Sequence, residues 1–209
     1  MAGRIIETPD DVAEGAAYLA ALDPRFSHAL ELTGPLPLRR REDGFATLFS
    51  AIVSQQVSTA SAAAIWDRLV AIEAHTPEGV EAATDEALRA AGLSRQKIAY
   101  GRAIAAAGLD FAALRAMPDA DVVAELVRIK GIGLWTAEIY AMFSLGRADV
   151  FAPGDLALQE AAARLFELPA RPKEKELRAL AEGWSPWRSV AARLLWAYYR
   201  VSVGREGVR

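Results

Sequence analysis

Leu126-Val127-Arg128-Ile129-Lys130-Gly131-Ile132-Gly133-Leu134-Trp135-Thr136-Ala137, followed by Val150-Phe151-Ala152-Pro153-Gly154-Asp155, decides how this chain is read. An apolar helical run enters a turn in which two glycines flank one isoleucine, and a second helical run begins at once. The amides of Gly131 to Leu134 are therefore read as unpaired donors at a helix N-terminus, where anions bind. The two glycines allow positive φ and let a phosphate approach with no Cβ in the way, while Ile132 can turn back to pin the hairpin to a core. The ligand that fits is a nucleic-acid backbone.

With 209 residues, 53% of them hydrophobic, the chain can bury a substantial core as one large or two small domains. It has no apolar run of about 18 residues, and Met1-Ala2-Gly3-Arg4-Ile5-Ile6-Glu7-Thr8 lacks the apolar centre of a signal peptide, so a soluble cytoplasmic protein is expected, with no membrane partner. The absence of cysteine excludes disulfides, thiolate zinc sites and iron-sulfur clusters, and His28 and His75 lie far apart, so no transition metal is expected. A net charge of −3 argues against holding DNA by bulk electrostatics. Its distribution is uneven: Arg171 to Arg209 contains nine Lys or Arg against four Glu, and Arg39-Arg40-Arg41 forms a second cluster. Either a basic face or solvated helix surfaces would account for them.

Periodicity near 3.6 dominates and no strand alternation stands out, so the chain reads as all-α, with about ten helices. Thr8-Pro9 opens a first helix that runs to about Leu22; further starts fall at Ser58, Thr84 and Ser94. Core spacing marks residues 44–55 and 60–72, and these two helices meet near Ser54-Gln55-Gln56-Val57-Ser58. Pro118 opens the first hairpin helix, and Leu134 to Leu145 is the second. Leu156 to Phe166, Lys173 to Glu182 and Trp187 to Val201 complete the chain.

The hairpin, the Gly/Pro loop ending in Asp155, and Trp184-Ser185-Pro186-Trp187-Arg188-Ser189 with Trp196 beyond it resemble the helix-hairpin-helix-GPD superfamily of DNA base-excision glycosylases. The resemblance covers roughly residues 40 to 205 and is nearest to the alkylpurine branch, the DNA-3-methyladenine glycosylase II type. It implies a two-lobed helical fold with the active site in the interlobe cleft. One lobe would hold about 1–45 and 147–209, the other about 46–146 with the hairpin at 119–145. The endonuclease-III-like relatives are excluded, because their cluster needs four cysteines.

For a glycosylase, breaking an N-glycosidic bond puts positive charge on the deoxyribose, and a nearby carboxylate stabilises that transition state. The resemblance assigns this role, with orientation or deprotonation of the attacking water, to Asp155; a helix N-cap is the competing reading of the same residue, and both can hold. Trp135 stands where bifunctional members carry a Schiff-base lysine, which implies a monofunctional enzyme without lyase activity. Lys130, before the turn, is a poor substitute. Trp135 and Trp196 are the implied pocket aromatics, whose faces attract a cationic alkylated purine; a core position is the alternative for each. The hairpin residues Lys130, Gly131, Ile132, Gly133, Leu134 and Thr136 would grip DNA. The carbonyls of Lys130 and Ile132 are a possible site for K⁺ or Na⁺; no organic cofactor is implied.

Flipping the base leaves a gap in the stack. Gln56, with Gln55 and Ser58 nearby, matches the family's wedge turn, although a capped turn between two helices explains the same residues. Ile139 and Leu156 replace aromatics found in some relatives, and the chain begins too near the helical core for the extra N-terminal β-rich domain of others. The resemblance therefore implies a monomeric hydrolase of base excision repair that frees alkylated purines, 3-methyladenine first with 7-methylguanine a further candidate, from duplex DNA. A non-enzymatic hairpin module that grips phosphates, or a glycosylase for another damaged base, are the alternatives.

Overall fold

The structure, a computed structural model, describes residues 3–207, the side chains from 203 onward excepted. Among the described residues it is helical, with one isolated antiparallel bridge, Ile5 to Arg147, in place of any sheet. The helices are α1 (Pro9–Leu22), α2 (Pro24–Thr33), α3 (Phe45–Val53), α4 (Thr59–Ala71), α5 (Pro77–Ala82), α6 (Asp85–Ala90) and α7 (Arg95–Ala106). They continue as α8 (Phe111–Ala116), α9 (Asp119–Val127), α10 (Leu134–Phe143), α11 (Leu156–Leu165), α12 (Glu174–Glu182) and α13 (Arg188–Gly207). No helix of the described residues is long and apolar enough to cross a membrane.

Among the described residues, thirteen helices stand in place of the roughly ten expected. The three not read are α2, α5 and α8. Asp23 both ends α1 and caps α2, its carboxylate accepting from the Arg25 amide at 2.9 Å. α5 and α8 are six residues long, too short for periodicity to show, and each is held by a cap, Thr76 and Asp110. Ser58, Thr84 and Ser94 cap α4, α6 and α7 where expected. α10 stops at Phe143, short of Leu145, because the Arg40 guanidinium donates to the Ser144 carbonyl at 2.7 Å and the next residue but one, Gly146, has φ +72.

The chain divides into two compact units, with boundaries after Arg40 and, inside α10, after Tyr140. In the unit Arg41–Tyr140, α7 packs on α3, α5 and α6. Phe45, Leu48, Phe49, Ile52, Ile98 and Ile104 are buried there. α3 and α7 approach closely because α7 carries Gly101: a Cβ at that residue would lie 2.6 Å from the Phe49 ring. The Tyr140 hydroxyl accepts the Gly44 amide at 2.8 Å and starts α3, and burial pushes its pKa up to about 12, so it is protonated at any physiological pH.

The other unit, Gly3–Arg40 with the chain from Ala141 onward, is built on α13 against α1, α2 and α11. Its centre is an aromatic group in which Trp184 meets Phe26 and Phe151 edge-on and stacks on Phe166 at 5.5 Å. Gly15 lets α1 lie on α13, since a Cβ there would be 2.6 Å from Trp187 and Val190.

Candidate functional site

The hairpin closes α9 onto α10. Ile129 and Ile132 are buried and anchor it, as the apolar residue between the glycines suggested. The turn is tighter than expected: the Ile132 amide donates to the Ile129 carbonyl at 3.0 Å, so the four amides from Gly131 to Leu134 are not all available. The Gly133 carbonyl accepts the Ala137 amide at 3.0 Å and opens α10, which leaves the first-turn amides from Leu134 onward at the positive end of the helix.

The two glycines differ in kind. Gly131 has φ +100, and a Cβ there would sit 2.3 Å from Tyr100 Cγ, so both backbone and packing require glycine. Positive φ was expected of both, but Gly133 does not have it, and a Cβ there would meet nothing within 4 Å. Neither conformation nor internal packing asks for glycine at 133. Lys130, Leu134 and Trp135 around it are exposed, Trp135 at 44%, while Thr136 is buried and contributes wall rather than a reachable hydroxyl.

An open groove of about 660 Å³ runs from the hairpin to the turn between α3 and α4, lined by Gln55, Gln56, Lys97, Tyr100, Gly131 and Gly133 among others. The structure thus brings the hairpin turn and the turn between α3 and α4 to one groove, two segments that the sequence separates by some seventy residues and that were expected to grip phosphate and to wedge the duplex. Gln56 is exposed with φ +56, a conformation uncommon for a side-chain-bearing residue, and Ser58 caps α4 by accepting the Ser61 amide at 3.1 Å. Lys97 and Tyr100, which with Gln96 line this groove from α7, were not singled out in the sequence. The available signal was their i, i+3 spacing on α7, which places both on one helix face.

Asp155 belongs to the other unit and is the N-cap of α11. Its Oδ1 accepts from the amides of Ala157 at 2.9 Å and Leu158 at 3.1 Å, and from the indole N–H of Trp196 at 3.2 Å. The Gln159 side chain donates to the Pro153 carbonyl at 2.8 Å and holds the loop before it. The cap reading is therefore correct for Asp155, and it fixes the carboxylate in direction. Trp196 is half-buried against Phe143, ring centres 5.7 Å apart. Trp196→Phe keeps that ring contact and removes the donor to Asp155. It is expected to lower the unfolding free energy by about 1.5 kcal/mol, read by urea titration, and by much less once Asp155 is Ala; equal losses in both backgrounds would mean the hydrogen bond contributes nothing.

Three arginines of the two basic clusters make structural contacts. Arg193 is buried, with its guanidinium donating to the carbonyls of Leu38 at 3.1 Å and Ser189 at 2.9 Å and lying 4.8 Å over the Phe143 ring. Burial, with Arg39 and Arg40 nearby, brings its pKa down to about 10. Arg188 pairs with Asp149 through both carboxylate oxygens at 2.7 and 3.0 Å, and Arg40 caps α10. These side chains are committed to structure.

A family model described as HhH-GPD superfamily base excision DNA repair protein matches residues 49–186. The chain is similar to a solved DNA-3-methyladenine glycosidase of Bacillus halodurans, at 34% identity over 97% of this chain and 94% of that one, with a TM-score of 0.81. It is similar also to the solved 3-methyladenine DNA glycosylase of Schizosaccharomyces pombe in complex with abasic DNA, at 30% identity, 88% and 95% coverage and a TM-score of 0.74. Among curated sequences, DNA-3-methyladenine glycosylase 1 of S. pombe is 29% identical over 97% of this chain and 94% of its own length.

Proposed function

Because the chain belongs to the HhH-GPD superfamily of base excision DNA repair proteins, we propose that it frees alkylated purines, 3-methyladenine first, from duplex DNA as a monofunctional glycosylase acting as a monomer. The observation that carries this reading is the pairing, in one chain, of a hairpin with a bare Gly133 and a carboxylate held by three donors on one oxygen. A protein that only binds DNA gains nothing from an oriented carboxylate near a polyanion.

The hairpin amides and the positive end of α10 take a backbone phosphate and fix the register on the duplex. The damaged base leaves the stack, and Gln56 enters the gap, where its amide can bond the orphaned partner base. The exposed Trp135 ring offers a π face to a purine made cationic by alkylation, an attraction of about 0.5 to 2 kcal/mol. As the glycosidic bond breaks, its electron pair goes to the base, which departs neutral and needs no proton from the enzyme. Positive charge develops at the sugar, where Asp155 stabilises it and orients the water that attacks C1′, taking the proton that water loses as the new C–O bond forms. With tryptophan at 135 no amine stands ready for a Schiff base, so the abasic strand stays intact. At the hairpin, the carbonyls flanking the turn, of Ile129 and Gly133, accept the amides of Ile132 and Ala137; those of Lys130 and Ile132, outside these two bonds, suit a monovalent cation such as K⁺.

The test is chromatography of bases released from methylated duplex DNA, with a denaturing gel in parallel. Free 3-methyladenine with no cut strand is expected. Tight binding with no base released would make the chain a phosphate-gripping module, and strand cleavage would overturn the monofunctional assignment.

A further inference from the structure

Lys97 sits at the third position of α7, where its own amide is held by the Ser94 cap at 3.2 Å. Its ammonium donates to two carbonyls at the end of α3, Val53 at 2.7 Å and Gln55 at 2.7 Å. Such carbonyls are the ones a helix C-terminus leaves unsatisfied, and a lysine there is favourable. What distinguishes this capping is where it acts. The residue immediately after Gln55 is Gln56, exposed and with φ +56. The carbonyl that Lys97 holds belongs to the peptide unit leading into that left-handed residue, so the bond fixes the plane from which the Gln56 side chain projects.

The rest of α7 explains how a flexible side chain comes to be a rigid support. α3 and α7 run antiparallel: Phe49 packs on Gly101, and one turn further along each helix Val53 meets Lys97. The absence of a side chain at Gly101 sets how close the helices come, and hence that the ammonium reaches both carbonyls. One turn of the same face also carries Tyr100, on whose ring the Gly131 backbone rests. A single helix face therefore supports the candidate wedge turn through Lys97 and the phosphate-gripping hairpin through Tyr100, and the groove between those two turns is lined by both.

We propose that Lys97 is a positioning residue for base flipping: by holding the Val53 and Gln55 carbonyls it keeps Gln56 at a fixed offset from the hairpin, so that the wedge meets the duplex where the phosphate is gripped. This rests on the glycosylase reading and on Gln56 as the wedge. Burial lowers the Lys97 pKa, and the role assigned here rests on its two bonds to carbonyls.

The experiment compares Lys97→Met, Lys97→Arg, Gln56→Ala and the Lys97→Met/Gln56→Ala double variant on one methylated oligonucleotide, annealed or single-stranded. A single strand has no stack to hold open, so a wedge is idle there. Lys97→Met is expected to slow release from the duplex at least about tenfold while leaving the single strand within about twofold. Lys97→Arg, which keeps donors, should recover most of the duplex rate, and the double variant should be no slower than the slower single. Equal losses on both substrates would make Lys97 merely structural, and multiplying losses in the double variant would place its action elsewhere; either overturns the inference. If Gln56→Ala is as fast as wild type on the duplex, the wedge assignment fails and the inference with it. If no variant, nor wild type, frees a base from either substrate, the failure is that of the glycosylase reading itself.

Discussion

Asp155→Asn is expected to slow base release by about 10²- to 10³-fold with no loss of DNA binding and little change in stability. The three outcomes separate because Asp155 both caps α11 and carries a negative charge. Oδ1 accepts from Ala157, Leu158 and Trp196, and an asparagine carbonyl can keep those bonds, since Asn caps helices about as well as Asp. The negative charge is what the variant loses, and only the transition state, with its cationic sugar, depends on that charge. Affinity for an undamaged duplex should hold or rise, since one anion has been withdrawn from a surface that meets phosphates. Asp155→Ala removes cap and charge together and should add about 1 kcal/mol of destabilisation. Single-turnover rates, filter binding and urea unfolding on the three proteins distinguish these contributions. An Asn variant that turns over normally would remove Asp155 from the chemistry.

The second large effect concerns two glycines that look alike in sequence and are not alike in the structure. Gly131→Ala forces a side chain into φ +100, at about 1 to 3 kcal/mol, and drives a methyl group into the Tyr100 ring from 2.3 Å. Overpacking of this kind adds roughly 1 to 3 kcal/mol. The variant should unfold at markedly lower urea and bind DNA poorly because the turn is displaced. Gly133→Ala should leave the unfolding midpoint almost unchanged, its Cβ having open space around it, and still weaken DNA binding about tenfold by filling the space a phosphate would occupy. If Gly133→Ala bound DNA like wild type, the hairpin would not be the phosphate grip.

Much of this was legible in the chain. The glycine-isoleucine-glycine turn, the caps at Ser58, Thr84 and Ser94 and the all-helical class follow from local rules that act within a few residues. What the sequence could not display is long-range use of ordinary residues. Arg40, Arg188 and Arg193 read as part of basic clusters because nothing nearby announces that their partners are the Ser144 carbonyl, Asp149 and the Leu38 carbonyl. Lys97 was passed over for the same reason: its two acceptors lie more than forty positions upstream. Asp155 shows the converse. Its cap was visible locally, but the indole donor from Trp196, forty-one positions away, was not.

The arginines engaged with carbonyls and a carboxylate bear on how such a protein would meet DNA. Each lysine or arginine that neutralises a phosphate releases counterions and steepens the fall of affinity with salt by about 0.9 in a double-logarithmic plot. Arg40, Arg188 and Arg193 are occupied by carbonyls and a carboxylate instead, in a chain whose net charge is −3. A weak hold on undamaged duplex, which offers mainly charge, is then expected, with directional contacts rather than charge supplying the difference between damaged and undamaged sites.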